Sequence, residues 1–402
     1  MILRPHQQRA VDIMQLHLKG QCIMPTGAGK TITMIRDAMI QFESDIAKTI
    51  VIVAPRILLA EQLCSEFLEF IINANVMHIH SGETTHFSST KPQEIVDWWV
   101  NTPGHKLIFT TYNSLERLQQ TRLPVDTIYF DEAHNSVKRN FFPATEYFSQ
   151  ETSRCYFYTA TPKHSLAVGK PGMNDVDVYG QVICNVPAPE LVAGGYILPP
   201  KVVVKQLDMV KDKQVVYERD AGFLLETIDN PKIVTITDGI IGSDNLKKIL
   251  ICARATKQII GLISETDFCS QLQERGYSWM VITSKTGPII DGQKVNREQF
   301  FDTLNAWGKD STKKFVVLHH SILSEGINVN GLEAVLFLRN MDYIGISQTI
   351  GRVIRLGDPQ KTFGLVCIPV YDNVGISTSR KVQAVVDVVF NQGEPAISVI
   401  KR

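Results

Sequence analysis

The residues best placed to do chemistry begin with Gln21-Cys22-Ile23-Met24-Pro25-Thr26-Gly27-Ala28-Gly29-Lys30-Thr31. A short apolar segment runs into a Pro- and Gly-bearing loop, and Gly29-Lys30-Thr31 leads into a helical pattern. Glycines let backbone N–H groups approach phosphate oxygens closely, a lysine reaches the terminal phosphates, and a threonine hydroxyl can ligate Mg²⁺. The opening turn of the helix adds its positive dipole end. Pro25, Thr26, Gly27, Ala28, Gly29, Lys30 and Thr31 are therefore candidates for holding a nucleotide, and Thr31 also for the metal. The strict pattern G-x-x-x-x-G-K-[ST] is broken at its first position, where Met24 stands. Alone, the stretch also fits a glycine-rich strand-to-helix turn with a surface lysine.

Three further constellations bear on that choice. Asp131-Glu132-Ala133-His134 follows the apolar run Thr127–Phe130, about a hundred residues after the loop. Paired carboxylates at a strand end suit a hydrolytic phosphate site, with Asp131 on magnesium and Glu132 polarising the attacking water. In isolation, such a pair is as readily an exposed turn. Thr159-Ala160-Thr161-Pro162 also closes a strand-like run. In Gln348-Thr349-Ile350-Gly351-Arg352-Val353-Ile354-Arg355, helical spacing puts Gln348, Arg352 and Arg355 on one face. A guanidinium fork matches phosphate oxygens. The alternative for that face is a solvated basic surface.

These groups need elements to hold them. The first half alternates β-branched runs with amphipathic stretches, the pattern of a parallel sheet covered by helices. Ala10, Val11, Met14 and Leu18 mark one helical face over 5–18, and a helix follows the phosphate loop through about Phe42. Thr49–Ala54 reads as a strand buried on both faces, and 58–72 as a helix. Further strands are expected at 106–110, Thr127–Phe130 and 155–158, each ending in a polar cluster. The Gly- and Pro-rich segment 169–200 reads as an exit, so the first domain is placed at 1–205, the second at 206–390 and a tail at 391–402. After 201–207 and the polar stretch 211–229, strands are expected at Lys248–Ala253, 279–282, 315–318, Ala334–Leu338 and 364–368. Helices are expected at 256–274 and 297–307.

Composition sets bounds. At 402 residues, 44% hydrophobic and 20% charged, the chain has the composition of a globular protein of two or three domains at ~150 residues each. Lys plus Arg and Asp plus Glu both number 41, so a nucleic-acid partner must be held by a local surface rather than by bulk charge. The seven cysteines are scattered and never spaced C-x-x-C, which argues against a disulfide framework or zinc site and fits a reducing compartment. No apolar run approaches ~18 residues, and the N-terminus lacks a signal-peptide pattern. A cytoplasmic location, in a bacterium or phage-infected host, is the expectation, with no membrane partner.

Taken together, the motifs resemble superfamily 2 helicases and translocases of the DEAH/DEAD type. Met24 to Thr31 is similar to motif I, Asp131 to His134 to motif II and Thr159 to Thr161 to motif III. Leu323-Ser324-Glu325-Gly326-Ile327-Asn328 is similar to motif V, and Gln348 to Arg355 to motif VI. Leu3-Arg4-Pro5-His6-Gln7 resembles the adenine-recognising element upstream of motif I, with His6 where an aromatic residue is usual; Asn328 stands where motif V usually has Asp. Ala54-Pro55-Arg56 and Thr110-Thr111-Tyr112-Asn113 resemble motifs Ia and Ib, which hold a nucleic-acid backbone. The nearest likeness is to compact phage UvsW-like and restriction-subunit-like DNA helicases. The resemblance implies an α/β fold of two RecA-like lobes, with mostly parallel sheets flanked by helices, that hydrolyses ATP with Mg²⁺. It implies catalytic roles for Lys30, Asp131, Glu132, Gln348, Arg352 and Arg355, and nucleotide contacts from Arg4, Gln7, Gly326 and Asn328 besides the loop. Asp131 and Thr31 would hold the metal, and Pro55, Arg56, Thr110, Thr111, Tyr112 and Asn113 the nucleic acid. The implied partner is single-stranded or branched DNA, acted on with replication or recombination proteins. The competing readings are a double-strand translocase subunit of a nuclease complex, an RNA helicase, and a hydrolysis-dead binding scaffold.

Overall fold

Thr49–Ala54 is apolar or β-branched throughout, and in the computed structural model all six residues are buried. That is the state of a strand covered by helices on both faces. The structure describes residues 1–167, 169–207, 212–229, 246–253, 255–283, 286–320, 331–338, 346, 349–351, 353, 355, 364–371 and 398–401.

The chain divides into two compact units, Met1–Val186 and Pro187–Arg402. The first runs α1 (Pro5–Leu16), β1 (Lys19–Ile23), α2 (Lys30–Gln41), β2 (Thr49–Ala54), α3 (Ile57–Leu68), β3 (Ala74–Ile79), β4 (Phe87–Ser88), α4 (Pro92–Asn101) and β5 (His105–Thr111). It continues with α5 (Leu115–Thr121), β6 (Thr127–Phe130), α6 (Phe142–Glu151), β7 (Arg154–Thr159), α7 (Val176–Tyr179) and β8 (Val182–Asn185). Its eight strands lie in the order β4-β3-β5-β2-β6-β7-β1-β8, and every neighbouring pair is parallel. All the strands therefore deliver their carboxyl ends to one edge, where ligands of open α/β sheets gather.

The second unit comprises α8 (Ala188–Ala193), β9 (Pro200–Leu207), α9 (Lys213–Asp229), β10 (Lys248–Ala253), α10 (Thr256–Ser264), α11 (Phe268–Glu274) and β11 (Ser278–Thr283). After these come β12 (Gly287–Ile290), β13 (Gln293–Lys294), α12 (Arg297–Lys309), β14 (Phe315–His319), β15 (Ala334–Leu338), β16 (Gly364–Tyr371) and β17 (Ser398–Lys401). Its nine strands take the order β13-β12-β11-β14-β10-β15-β16-β9-β17 and pair in parallel, except for the antiparallel β11-β12-β13 edge. Two mostly parallel sheets flanked by helices bear out the expected fold class.

The structure departs from the sequence reading in instructive places. The units part at Val186 and Pro187, whereas the expected boundary is 205; β9 pairs with β16 and β17, so its hydrogen bonds belong to the second sheet. Leu18 is expected on the buried helical face but is 68% exposed, because α1 ends at Leu16 and the chain turns into β1. The expected helix 256–274 is two helices. Thr266 Oγ1 donates to Leu262 O and accepts from Phe268 N, closing the first and opening the second. The polar stretch 211–229 holds α9, whose Ala221, Phe223, Leu224 and Ile228 enter the core with β10 and β14.

A buried charge network ties the first unit together behind the phosphate loop. Asp37 on α2 has no exposed surface and takes Arg154 Nη1 and Nη2, each at 2.9 Å, with Oδ2 and Oδ1. Tyr129 OH donates to Asp37 Oδ2 at 2.5 Å and Gln15 Nε2 to Oδ1 at 2.6 Å. Arg154 Nη2 also donates to Met14 O at 2.9 Å. A carboxylate with four donors and a bidentate guanidinium meets the conditions under which a buried ion pair is tolerated. The network joins α1, α2, β6 and β7, the elements that carry or flank the phosphate loop.

Candidate nucleotide and nucleic-acid site

The loop between β1 and α2 is shaped by two glycines in the left-handed region, Gly27 at φ 89° and Gly29 at φ 82°. A side chain at Gly29 would be strained in its backbone and would also collide with the Gln7 amide nitrogen. The loop is braced from α1. Ala28 O accepts from Gln7 Nε2 at 3.0 Å and pairs with His6 Nε2 at 2.8 Å, while Gln7 Oε1 accepts from Arg4 N at 2.9 Å. His6, which the sequence reading treats as a departure from an aromatic pattern, thus serves as a second clamp on the loop. On the other side Met24 N donates to Thr159 O at 2.9 Å, joining the loop to the end of β7.

Lys30 begins α2 and its Nζ lies 3.2 Å from Glu132 Oε1, with both side chains about nine-tenths buried. Glu132 Oε2 is 3.5 Å from His134 Nδ1, which is 3.0 Å from Thr159 Oγ1; that hydroxyl also accepts from Thr161 N at 3.1 Å. Motif I, motif II and motif III residues therefore form one polar cluster at the ends of β1, β6 and β7. His134 and Thr159 were legible in the sequence as motif members, and the structure makes them the bridge.

Asp131 follows β6 and is 6% exposed. Burial, then the neighbouring Glu132 charge, push its carboxyl up to about 7, against the pull of Lys30. Its Oδ1 is buried with no hydrogen-bond partner. A buried carboxylate oxygen lacking a donor, in a carboxyl that resists ionisation, has the chemistry of a divalent-cation ligand, and the Thr31 hydroxyl offers a second oxygen. These residues fit magnesium. Among the described residues, no group of three or more His, Cys, Asp and Glu side chains could hold a metal by itself.

The residues expected on nucleic acid occupy the same edge but differ in access. Pro55 and Arg56 follow β2, with Arg56 partly exposed; Asn113 is exposed in the turn after β5. Thr110 is fully buried and donates to Ile79 O at 3.0 Å, and Thr111, 3% exposed, donates to Ser114 Oγ at 3.3 Å. Tyr112 is 2% exposed and donates its hydroxyl to Asp131 O at 2.9 Å, so it supports the acidic turn instead of facing solvent. Side chains inside a strand that is covered on both faces are the wrong ones to offer a backbone phosphate. In the second unit, Arg355 is described, its backbone bridging to Ile197. Gly326, Asn328, Gln348 and Arg352 lie outside the described residues.

Comparisons with known proteins find a family match and similar folds. Residues 1–164 match the family "Type III restriction enzyme, res subunit". Over the whole chain, the fold is similar to the Type ISP restriction-modification enzyme LlaBIII bound to DNA, with a TM-score of 0.75 and 18% identity. The likeness is one of fold. A nuclease-deletion mutant of the Type ISP restriction-modification enzyme LlaGI, in complex with a DNA substrate mimic, matches 96% of this chain with a TM-score of 0.68 and 19% identity. A fragment of a putative HsdR subunit of a type I restriction enzyme from Vibrio vulnificus YJ016 matches all of it, with a TM-score of 0.63 and 15% identity. The chain spans 31% of LlaBIII, 29% of LlaGI and 68% of the HsdR fragment. None of the curated proteins compared with it matches. Among the described residues, no helix is long and apolar enough to cross a membrane.

Proposed function

We propose that the chain is an ATP-hydrolysing motor that translocates along or unwinds DNA. The observation that carries this reading is the joining of Lys30 to the acidic pair Asp131–Glu132 at the edge where Arg56 and Asn113 are presented. Lys30 serves the terminal phosphates, which compete with Glu132 for its ammonium. Asp131 and Thr31 would hold magnesium, which would supply positive charge beside the phosphate oxygens, and Glu132, once released from Lys30, orients the attacking water. Arg352 and Arg355 supply guanidinium charge to the transferring phosphoryl group. Contact with phosphates rather than bases suits a motor indifferent to sequence and a chain without net charge. The motor works in the cytoplasm, where its cysteines stay reduced.

A second reading is favoured by one comparison. Because the chain spans less than a third of LlaBIII and LlaGI, both Type ISP restriction-modification enzymes, the same motor would serve as the translocating section of a larger DNA-cleaving assembly. ATP turnover measured in parallel with single-stranded, double-stranded and forked DNA and with RNA separates the readings. Stimulation by duplex alone supports the translocase, and stimulation by single strands or forks the unwinding enzyme. Stimulation by RNA alone would transfer the motor to RNA. A turnover rate unchanged by every polynucleotide would refute the motor.

A further inference from the structure

Glu132 holds a backbone conformation foreign to its residue type, φ 47° and ψ 51°. A left-handed, non-glycine residue at a reactive position persists only where its surroundings over-determine it. Here the peptide carbonyls on both sides of the Glu132 Cα are caught by side chains. Tyr112 OH donates to Asp131 O at 2.9 Å, and Asn135 Nδ2 donates to Glu132 O at 3.1 Å. The Asn135 backbone adds a bond to Glu132 O at 3.0 Å, and Asp131 N is fixed to Val53 O at 2.9 Å.

Tyr112 is itself held at three points. Its ring packs against Phe141, with centroids 5.6 Å apart, and Phe130, at 6.1 Å. Its N–H donates to Ala54 O at 3.1 Å, directly before Pro55 and Arg56. Its neighbour Asn113 is exposed, in a turn closed by Ser114 N on Thr111 O at 2.9 Å. One buried residue, through its backbone N–H and its hydroxyl, therefore connects both strand-end segments proposed to meet nucleic acid with the carbonyl that sets the direction of the catalytic carboxylates.

We propose that Tyr112 and Asn135 are positioning residues that hold Glu132 in its left-handed conformation, and that Tyr112 carries the effect of polynucleotide at the 55–56 and 111–114 segments to the acidic turn. The proposal rests on the motor reading above. A nucleic-acid backbone seated on Asn113 and Arg56 presses on the peptide planes from which Tyr112 projects, and its hydroxyl passes that constraint to Asp131 O.

The test uses the full chain with Tyr112→Phe, which keeps the ring packing and deletes only the donor, and Asn135→Ala as a second variant. ATP turnover at saturating oligonucleotide, KM for ATP, oligonucleotide Kd, and amide exchange of 131–135 with and without oligonucleotide are measured. For Tyr112→Phe the expected result is a kcat about ten- to a hundredfold lower, from misdirection of a catalytic group, with KM and Kd within about twofold of wild type. Exchange of 131–135 becomes faster and no longer responds to oligonucleotide. Unchanged kcat with unchanged exchange overturns the proposal, as does a parallel loss of kcat, KM, Kd and thermal stability, which denotes a merely structural tyrosine. Should the wild type hydrolyse no ATP, the motor reading fails, while the exchange comparison still decides whether Tyr112 fixes the acidic turn. Should Asn135→Ala not fold, Tyr112→Phe alone decides.

Discussion

Asp37→Ala removes the acceptor for four side-chain bonds and leaves the Arg154 guanidinium, its side chain about nine-tenths buried, without a counter-charge. Truncating one partner of a buried ion pair costs about 3–5 kcal/mol, because the remaining charge is neither solvated nor compensated. The loss falls on the elements the pair joins, and Asp37 sits two turns along the helix that starts at Lys30. Amide exchange by mass spectrometry is the assay, since a chain of two compact units gives no single unfolding free energy. At ~1.4 kcal/mol per decade, β1, β7 and α2 amides should exchange roughly a hundred to several thousand times faster in the variant. The second unit should be unaffected, and nucleotide affinity should fall with the loosened phosphate loop. Asp37→Leu combined with Arg154→Met, which removes both charges, should recover most of the loss. Exchange within tenfold of wild type in Asp37→Ala would refute the reasoning, as would a double variant no better than the single.

Lys30→Ala is expected to weaken nucleotide binding at least tenfold by equilibrium titration, whereas Glu132→Gln should bind nucleotide and lose turnover by two or more decades. Equal affinity and equal residual turnover in the two variants would undo the role assignment. Arg355→Ala should lower turnover at saturating ATP and polynucleotide by roughly 10³-fold or more, with lysine a poor substitute for the planar fork; near-normal turnover in the alanine variant excludes a catalytic arginine. His78, 1% exposed and stacked on Phe109 and His86, is lowered to about 3 by burial and then by His80 and His86. Between that value and the ordinary 6.5, the unfolded chain takes up a proton the folded one refuses, so stability is lost as pH falls, by about 1.4 kcal/mol per unit for this group. Acid denaturation of His78→Leu should show a correspondingly shallower slope, and an unchanged slope would contradict the assignment.

The fold was legible where sequence and burial agree. Runs such as Thr49–Ala54, Lys248–Ala253 and Ala334–Leu338 are apolar because both faces are covered, and each is a strand with those bounds. Elements with a polar face were harder to see. Strand β3 is interrupted by Asn75 and His78, and α4 buries only Ile95 fully, its apolar residues being split by Asp97, so neither presents a continuous buried run. The phosphate loop and the acidic pair could be read from local patterns, whereas the ion pair of Lys30 with Glu132 is seen only in the structure. The supports could not: Gln7 and His6 on Ala28 O, or Tyr112 on Asp131 O, are contacts across 19 to 22 residues of chain between side chains of ordinary type. Tyr112 shows the limit most clearly, since a Thr-Thr-Tyr-Asn string does not reveal which of its members the strand turns inward.

The strand orders of the two sheets impose different timetables on synthesis. In the first unit, every strand has met its neighbours once Asn185 is made, with β8 the last to dock beside β1. In the second, β9 is an early strand flanked by the two latest, β16 and β17, and among the described residues no strand made before Gly364 pairs with it. At about 5–20 residues per second, Pro200–Leu207 waits on the order of ten seconds or more for its partners. During that interval Val202, Val203 and Val204 form an apolar strand with both edges open, the kind of segment that pairs wrongly with other chains. Ribosome stalling between 210 and 360 should therefore yield a finished first unit tethered to an aggregation-prone strand, and chaperone demand in expression should concentrate in the second half of the chain.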